Sequence, residues 1–145
     1  MKVKVKKLNE KAILPVYSSQ SAAGADLHAL LDGATKIAPG ETVFIKTGLA
    51  LEIPEGYVGL IYARSGLACK RGVAPANKVG VIDSDYRGEI TVALFNHGKE
   101  AQVIEPAERI AQLVITPYLT AEFDLVDEIN QTERASGGFG STGRK

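Results

Sequence analysis

Three stretches of this sequence hold more functional groups than their local structure needs. The first runs from Asn77 to Ile90 and reads Asn-Lys-Val-Gly-Val-Ile-Asp-Ser-Asp-Tyr-Arg-Gly-Glu-Ile. Apolar β-formers lead straight into a carboxylate, and apolar alternation resumes only after Gly88, so Asp83 to Gly88 is predicted as a strand end opening into a turn. Asp-Ser-Asp or Arg-Gly alone would make that turn. Asp83, Asp85, Tyr86 and Arg87 together therefore suggest a site beside a pocket wall, although a solvated turn with its tyrosine resting on the core would use the same residues. The second stretch, Arg64-Ser-Gly-Leu-Ala-Cys-Lys-Arg-Gly, is predicted as a short helix with Ser65 near its N-cap and Gly72 ending it. Its first backbone N–H groups, with Arg64 beside them, would form an anion site. The third is the end of the chain, Arg134-Ala-Ser-Gly-Gly-Phe-Gly-Ser-Thr-Gly-Arg-Lys. One aromatic among glycines cannot contribute to a core, but free N–H groups, two hydroxyls and an arginine can grip phosphates, and the phenylalanine could stack on a base.

The elements that must position these groups are short strands. The 145 residues include 15 glycines and 6 prolines spread between short apolar runs, with turn signals about every 8 to 12 residues, the spacing of an all-β sandwich or barrel. Val3 and Val5 alternate with lysines as in a half-exposed strand. Pro-Gly at 39–40, Pro-Glu-Gly at 54–56 and Pro75-Ala-Asn-Lys are predicted turns between strands. Asp26 stands between a small-residue loop and an apolar strand. Gln112 sits inside the apolar run Arg109 to Thr116, where an unpaired amide would cost roughly 1 to 3 kcal/mol, so it needs a core partner or a ligand.

Composition narrows the function. Seventeen basic and seventeen acidic residues give no general attraction to nucleic acid or anionic membrane, so an anionic ligand must be held by local groups. One cysteine, Cys69, excludes an internal disulfide framework and reads as core or partly exposed filler; with only two distant histidines, His28 and His97, it makes no zinc signature. The N-terminus lacks an apolar run of signal-peptide length and no stretch approaches a membrane span. The expectation is one soluble, cytoplasmic domain over residues 1–133, followed by a flexible glycine-rich tail over 134–145.

Five segments in order resemble the trimeric dUTP pyrophosphatases, the dUTPases: Ala23-Gly-Ala-Asp-Leu, Ala63-Arg-Ser-Gly-Leu-Ala, Gly80-Val-Ile-Asp-Ser-Asp-Tyr-Arg-Gly, Glu108-Arg-Ile-Ala-Gln-Leu and Arg134-Ala-Ser-Gly-Gly-Phe-Gly-Ser-Thr-Gly. The sequence departs from the family pattern at Ala63, where proline is usual, and at Ala135, where glycine is common. The resemblance implies a distorted jelly-roll or β-clip barrel with one short helix, assembled as a homotrimer with its sites at subunit interfaces. It implies hydrolysis of dUTP to dUMP and pyrophosphate with Mg²⁺, which limits uracil in DNA and supplies dUMP for dTMP synthesis. Asp83 matches the carboxylate that orients and deprotonates the attacking water. Tyr86 matches the aromatic against the deoxyribose, excluding a 2′-hydroxyl by clash. Asn77, Gly80, Val81 and Ile82 match a hairpin that forms the uracil slot. Arg64, Ser65, Gly66 and Gln112 match phosphate-binding positions, and Asp26 the carboxylate that reaches Mg²⁺ through water. Arg134, Phe139, Gly140, Ser141 and Thr142 match the closing tail. A dCTP deaminase of similar fold would need a donor–acceptor set around the exocyclic amine that has no counterpart here. A non-catalytic nucleotide sensor would need neither the Asp83 base nor a water-excluding tail.

Overall fold

The computed structural model describes residues 1–138. Twelve strands and one helix follow in order: β1 (Lys4–Lys7), β2 (Val16–Tyr17), β3 (Ala25–His28), β4 (Thr35–Ile37), β5 (Thr42–Lys46), β6 (Leu49–Glu52), β7 (Tyr57–Tyr62), α1 (Ser65–Arg71), β8 (Val73–Pro75), β9 (Gly80–Ile82), β10 (Thr91–Asn96), β11 (Gln102–Ile104) and β12 (Arg109–Pro117). All strand pairing is antiparallel, in a five-stranded sheet β2-β3-β12-β7-β9, a three-stranded sheet β5-β10-β8, and the pairs β1-β6 and β11-β4. The expected all-β class with one short helix is what the chain forms.

Strands adjacent in sequence rarely pair with each other. The Pro-Gly turn joins β4 to β5, but β4 pairs with β11 and β5 with β10; the Pro-Glu-Gly turn joins β6 to β7, which belong to different sheets. Each turn thus carries the chain from one layer to another, as in a jelly roll, and the inward faces enclose one core. Leu27, Ile37, Ile45, Leu49, Leu94, Ile104 and Ile110 are fully buried and come from seven different strands.

One local expectation is corrected. The 77–82 segment is not a paired hairpin: β8 pairs with β10, whereas β9 pairs with β7. The chain instead turns sharply at Lys78, at φ 65°, with the Val79 N–H bonded to the Asn77 carbonyl at 2.7 Å. The helix forms as expected with Ser65 beside its N-cap: Arg64 is the N-cap, with no side-chain cap, and Ser65 is the first helical residue. Gly72 ends the helix as expected, at φ 68°, with its N–H on the Ala68 carbonyl. A side chain there would also meet the Gly98 backbone at 3.0 Å, so this end of the helix is fixed against the turn after β10. No helix among the described residues is long and apolar enough to cross a membrane. Cys69 is exposed.

Candidate active site

Asp26 is the centre of the polar cluster. It lies in β3, nearly buried, and both carboxylate oxygens are taken: Arg64 Nε donates to Oδ1 at 2.8 Å and Arg109 Nη1 to Oδ2 at 3.1 Å. A carboxylate can stay charged out of water when guanidinium groups hold it in this way. Arg64 arrives from the end of β7, at the start of the helix, and Arg109 from the start of β12.

A β-bulge makes this convergence possible. In β12, Gln112 pairs with Asp26 and Arg109 with His28, because the register slips by one residue between Arg109 and Ala111. Residues three apart on a regular strand face opposite sides, since side chains alternate. The extra residue, buried Ile110, cancels that alternation, so Arg109 and Gln112 share a face with Asp26 and His28.

Gln112 completes the cluster. Its Nε2 donates to the Ala63 carbonyl at 2.8 Å, which satisfies one end of the amide, and its Oε1 lies against Gly24. A Cβ at residue 24 would come within 2.5 Å of that oxygen, so the small-residue loop before Asp26 is shaped around the glutamine. The departure at Ala63 leaves the working group intact, because Gln112 uses the backbone carbonyl. Ser18, Gly24, Asp26, Arg64, Gly66 and Gln112 are among the residues lining one open pocket, together with Ser65. The pocket offers guanidinium and backbone N–H donors at the start of a helix, a set suited to phosphate oxygens.

His28 stands behind it. Among the described residues its Nδ1 is the one buried side-chain nitrogen or oxygen without a hydrogen-bond partner. Burial lowers its pKa below the ordinary 6.5; Asp26 opposes the shift, and Arg109 and Arg64 reinforce it.

The other predicted groups lie elsewhere. Asp83 is exposed just past β9, beside an open pocket walled by Glu52, Glu55, Asp85, Arg87 and Tyr118. The Asp83 carbonyl accepts the Tyr86 N–H at 3.2 Å, closing the expected turn, and Arg87 braces it by donating to the Ser84 and Tyr86 carbonyls at 2.6 and 3.0 Å. Asn77 and Val81 are exposed, Gly80 is buried and Ile82 is half-buried. Arg134 is exposed in a turn, its Nε bonded to the Gly137 carbonyl at 2.9 Å. Ala135, at φ 43°, occupies the left-handed region that favours glycine. Phe139, Gly140, Ser141 and Thr142 lie outside the described residues.

Within one chain, then, the predicted residues form two groups. β9 and β3 are separated in their sheet by β12 and β7, and the row of Asp26, Gln112 and Tyr62 is three residues along β7 from Gly59, the partner of Ile82. Strand spacing and rise put Asp83 on the order of 20 Å from Asp26. A triphosphate, two P–O–P bridges long, does not span that distance with Asp83 at its first phosphorus. Arg109 lies within the fourth family-like segment, which gives it no role of its own; its signal is a charged residue at the head of a run that is apolar apart from Gln112 and Thr116.

Fold and pocket together define an antiparallel jelly-roll protein with a polar pocket that gathers Asp26, Arg64 and Gln112. Comparison with known proteins is specific. A dUTPase family model matches residues 10–143. The deoxyuridine 5'-triphosphate nucleotidohydrolase of Nautilia profundicola is 54% identical over 144 residues, covering 99% of this chain and 100% of that one. A variant of the Staphylococcus bacteriophage 80alpha dUTPase, solved with dUpNHpp, superposes with a TM-score of 0.88 at 31% identity over 98% of each chain. A mutant of the dUTPase from phage phi11 of S. aureus, whose structure describes the coordination of a structural Mg(II) ion, has a TM-score of 0.81 at 28% identity over 90% of this chain and 100% of that one. The chain belongs to the dUTPase family.

Proposed function

We infer that this protein is a dUTP diphosphatase that hydrolyses dUTP to dUMP and pyrophosphate, keeping uracil out of DNA and supplying dUMP for dTMP synthesis. The observation that carries the reading is the Asp26 pocket, where residues 26, 64, 65, 66 and 112 from three separated segments meet in a chain of this family. Arg64 and the backbone N–H groups of Ser65 and Gly66 bind phosphate oxygens and neutralise charge that develops on them. Asp83 holds the attacking water and accepts its proton as oxygen bonds to the α-phosphorus and the pyrophosphate oxygen leaves. Asn77 and the 80–82 backbone pair with the uracil edge, and Tyr86 lies against the sugar.

Magnesium fits this donor set in one way. The described residues contain no group of three or more His, Cys, Asp or Glu able to hold an ion, and both Asp26 oxygens already accept from arginines. A cation that takes its inner ligands from substrate phosphates and meets Asp26 through water is compatible with that arrangement. When bound, it would neutralise phosphate charge.

The separation of Asp83 from the Asp26 pocket supports a working unit of three chains. Asp83 of one subunit would face the Asp26 pocket of a second, with the tail 134–145 of a third closing over the substrate. Beyond Pro117 the described chain has no further strand, and Leu119, Phe123, Leu125 and Ile129 are more than four-fifths exposed. Such a run of bare apolar side chains fits an arm that lies on a neighbour. The experiment is pyrophosphate release from dUTP with Mg²⁺, beside dCTP, dTTP and UTP, with Asp83→Ala as control. Release from dUTP alone, lost in the control, is expected. Ammonia from dCTP, or binding of dUTP without release, would overturn the assignment, and an active monomer at micromolar concentration would overturn the shared site.

A further inference from the structure

Tyr86 is nearly half exposed, yet it is not free to wander. Its hydroxyl donates to the Glu89 carbonyl at 3.1 Å, and its ring lies directly over Gly88. A Cβ built on Gly88 would overlap the hydroxyl oxygen and come within 2.5 Å of Cζ and 2.9 Å of Cε2, far inside van der Waals contact. No backbone need explains this glycine, because its φ lies outside the left-handed region that the chain's positive-φ glycines occupy. Space for the tyrosine ring is what remains.

The acceptor is itself fixed. The Glu89 side chain takes the Gly48 N–H at 2.9 Å and meets Lys46 at 3.5 Å. The next residue, fully buried Ile90, donates to the Leu49 carbonyl and receives both the Thr47 N–H and the Thr47 hydroxyl, the latter at 2.7 Å. The Tyr86 hydroxyl is thus tied through one carbonyl to the β5–β6 connection, which is part of the core. An aromatic wall can reject a single hydroxyl only if it cannot yield, since a ring that swings away removes the clash at little cost.

We propose that Gly88 is a specificity-determining positioning residue: its missing side chain seats the Tyr86 ring on the Glu89 carbonyl, and this seat, rather than the tyrosine alone, makes the site reject a ribose. The proposal rests on the reading of Tyr86 as the sugar wall. An alanine at 88 would push the ring, the far end of an exposed side chain, off its seat while leaving the backbone unstrained. The fold stays intact and the wall moves.

The test is kcat/KM for dUTP and for UTP in the wild type, Gly88→Ala, Tyr86→Ala and the double variant, with thermal unfolding of each. Gly88→Ala is expected to unfold near the wild-type temperature and to lose about tenfold or more of the dUTP-over-UTP preference, the scale of discrimination set by a small change in pocket shape. In the Tyr86→Ala background the same change has no ring to displace, so the double variant should match Tyr86→Ala, and the cycle isolates the coupling. If Gly88→Ala is unstable, recovery of stability in the double variant reports the same contact. An unchanged preference in Gly88→Ala alongside a lost preference in Tyr86→Ala overturns the seat but leaves the sugar wall standing. An unchanged preference in Tyr86→Ala overturns the sugar wall itself.

Discussion

Replacing Asp26 by asparagine tests whether the pocket is an energetic unit. The substitution keeps the shape and removes the charge, so two guanidinium groups would face an amide that can accept from only one of them and presents N–H groups to the other. Hydrogen bonds to a charged partner contribute about 1.5–3 kcal/mol each when well made. The Arg64 bond, at 2.8 Å with Arg64 about three-quarters covered, belongs in that range. The Arg109 bond, at 3.1 Å with half of that side chain in solvent, is screened and adds less than about 1 kcal/mol. One neutral hydrogen bond retained by the asparagine returns about 1 kcal/mol. The expected net loss is about 2 kcal/mol, a fall of roughly 6 °C in Tm for a chain of this length. Urea unfolding should show a lower midpoint at unchanged slope, with protomer concentration held constant because an oligomer's stability depends on it. A second readout is His28. Asp26 is the influence that holds its pKa up against burial and the arginines, so the variant should titrate still lower in an NMR experiment that has only one other histidine, His97, to distinguish. A loss below about 0.5 kcal/mol with an unmoved His28 would refute the argument, since it would mean that solvent already screens the carboxylate.

Three further outcomes follow from the same geometry. Because the folded pKa of His28 is below its unfolded value, the unfolded state binds the extra proton first; stability should be full above about pH 6.5 and decline as pH falls through the lowered value, and His28→Gln should flatten that part of the urea-midpoint profile. Gly24→Ala would force Gln112 Oε1 aside and loosen its bond to Ala63; overpacking of this kind costs about 1–3 kcal/mol, and KM for dUTP should rise, whereas an unchanged KM would show that the glutamine does not need its present position. Removal of residues 134–145 should leave Tm nearly unchanged, since the core strands end at Pro117, but turnover of dUTP should fall severely; full turnover by the truncated chain would dismiss the tail as a working part.

Much of this was legible in residue order. Turn residues at short intervals marked an all-β chain, and the helix at 65–71 with its glycine stop was readable because it depends on neighbours in sequence. Asp83, Arg64 and Gln112 stood out as polar groups where the local pattern did not require them. Pairing was another matter. The turns at Pro39-Gly40, Pro54-Glu-Gly and Pro75-Ala-Asn-Lys read like hairpin turns, but each joins strands that find their partners in other layers.

What the sequence by itself determined is the list of elements and the chemical kinds of group at their ends, because both follow from local propensity and from residues one to four apart. Tertiary structure alone decided which of those groups meet. The bulge at Ile110 turned Arg109 to the face of Asp26 and Gln112, an outcome that strict alternation forbids and that only the fit of β12 against β3 and the core imposes. The same packing put Asp83 at the far side of its own sheet from that pocket, because which strands lie side by side is fixed by how all the apolar faces close over one another and not by any one segment.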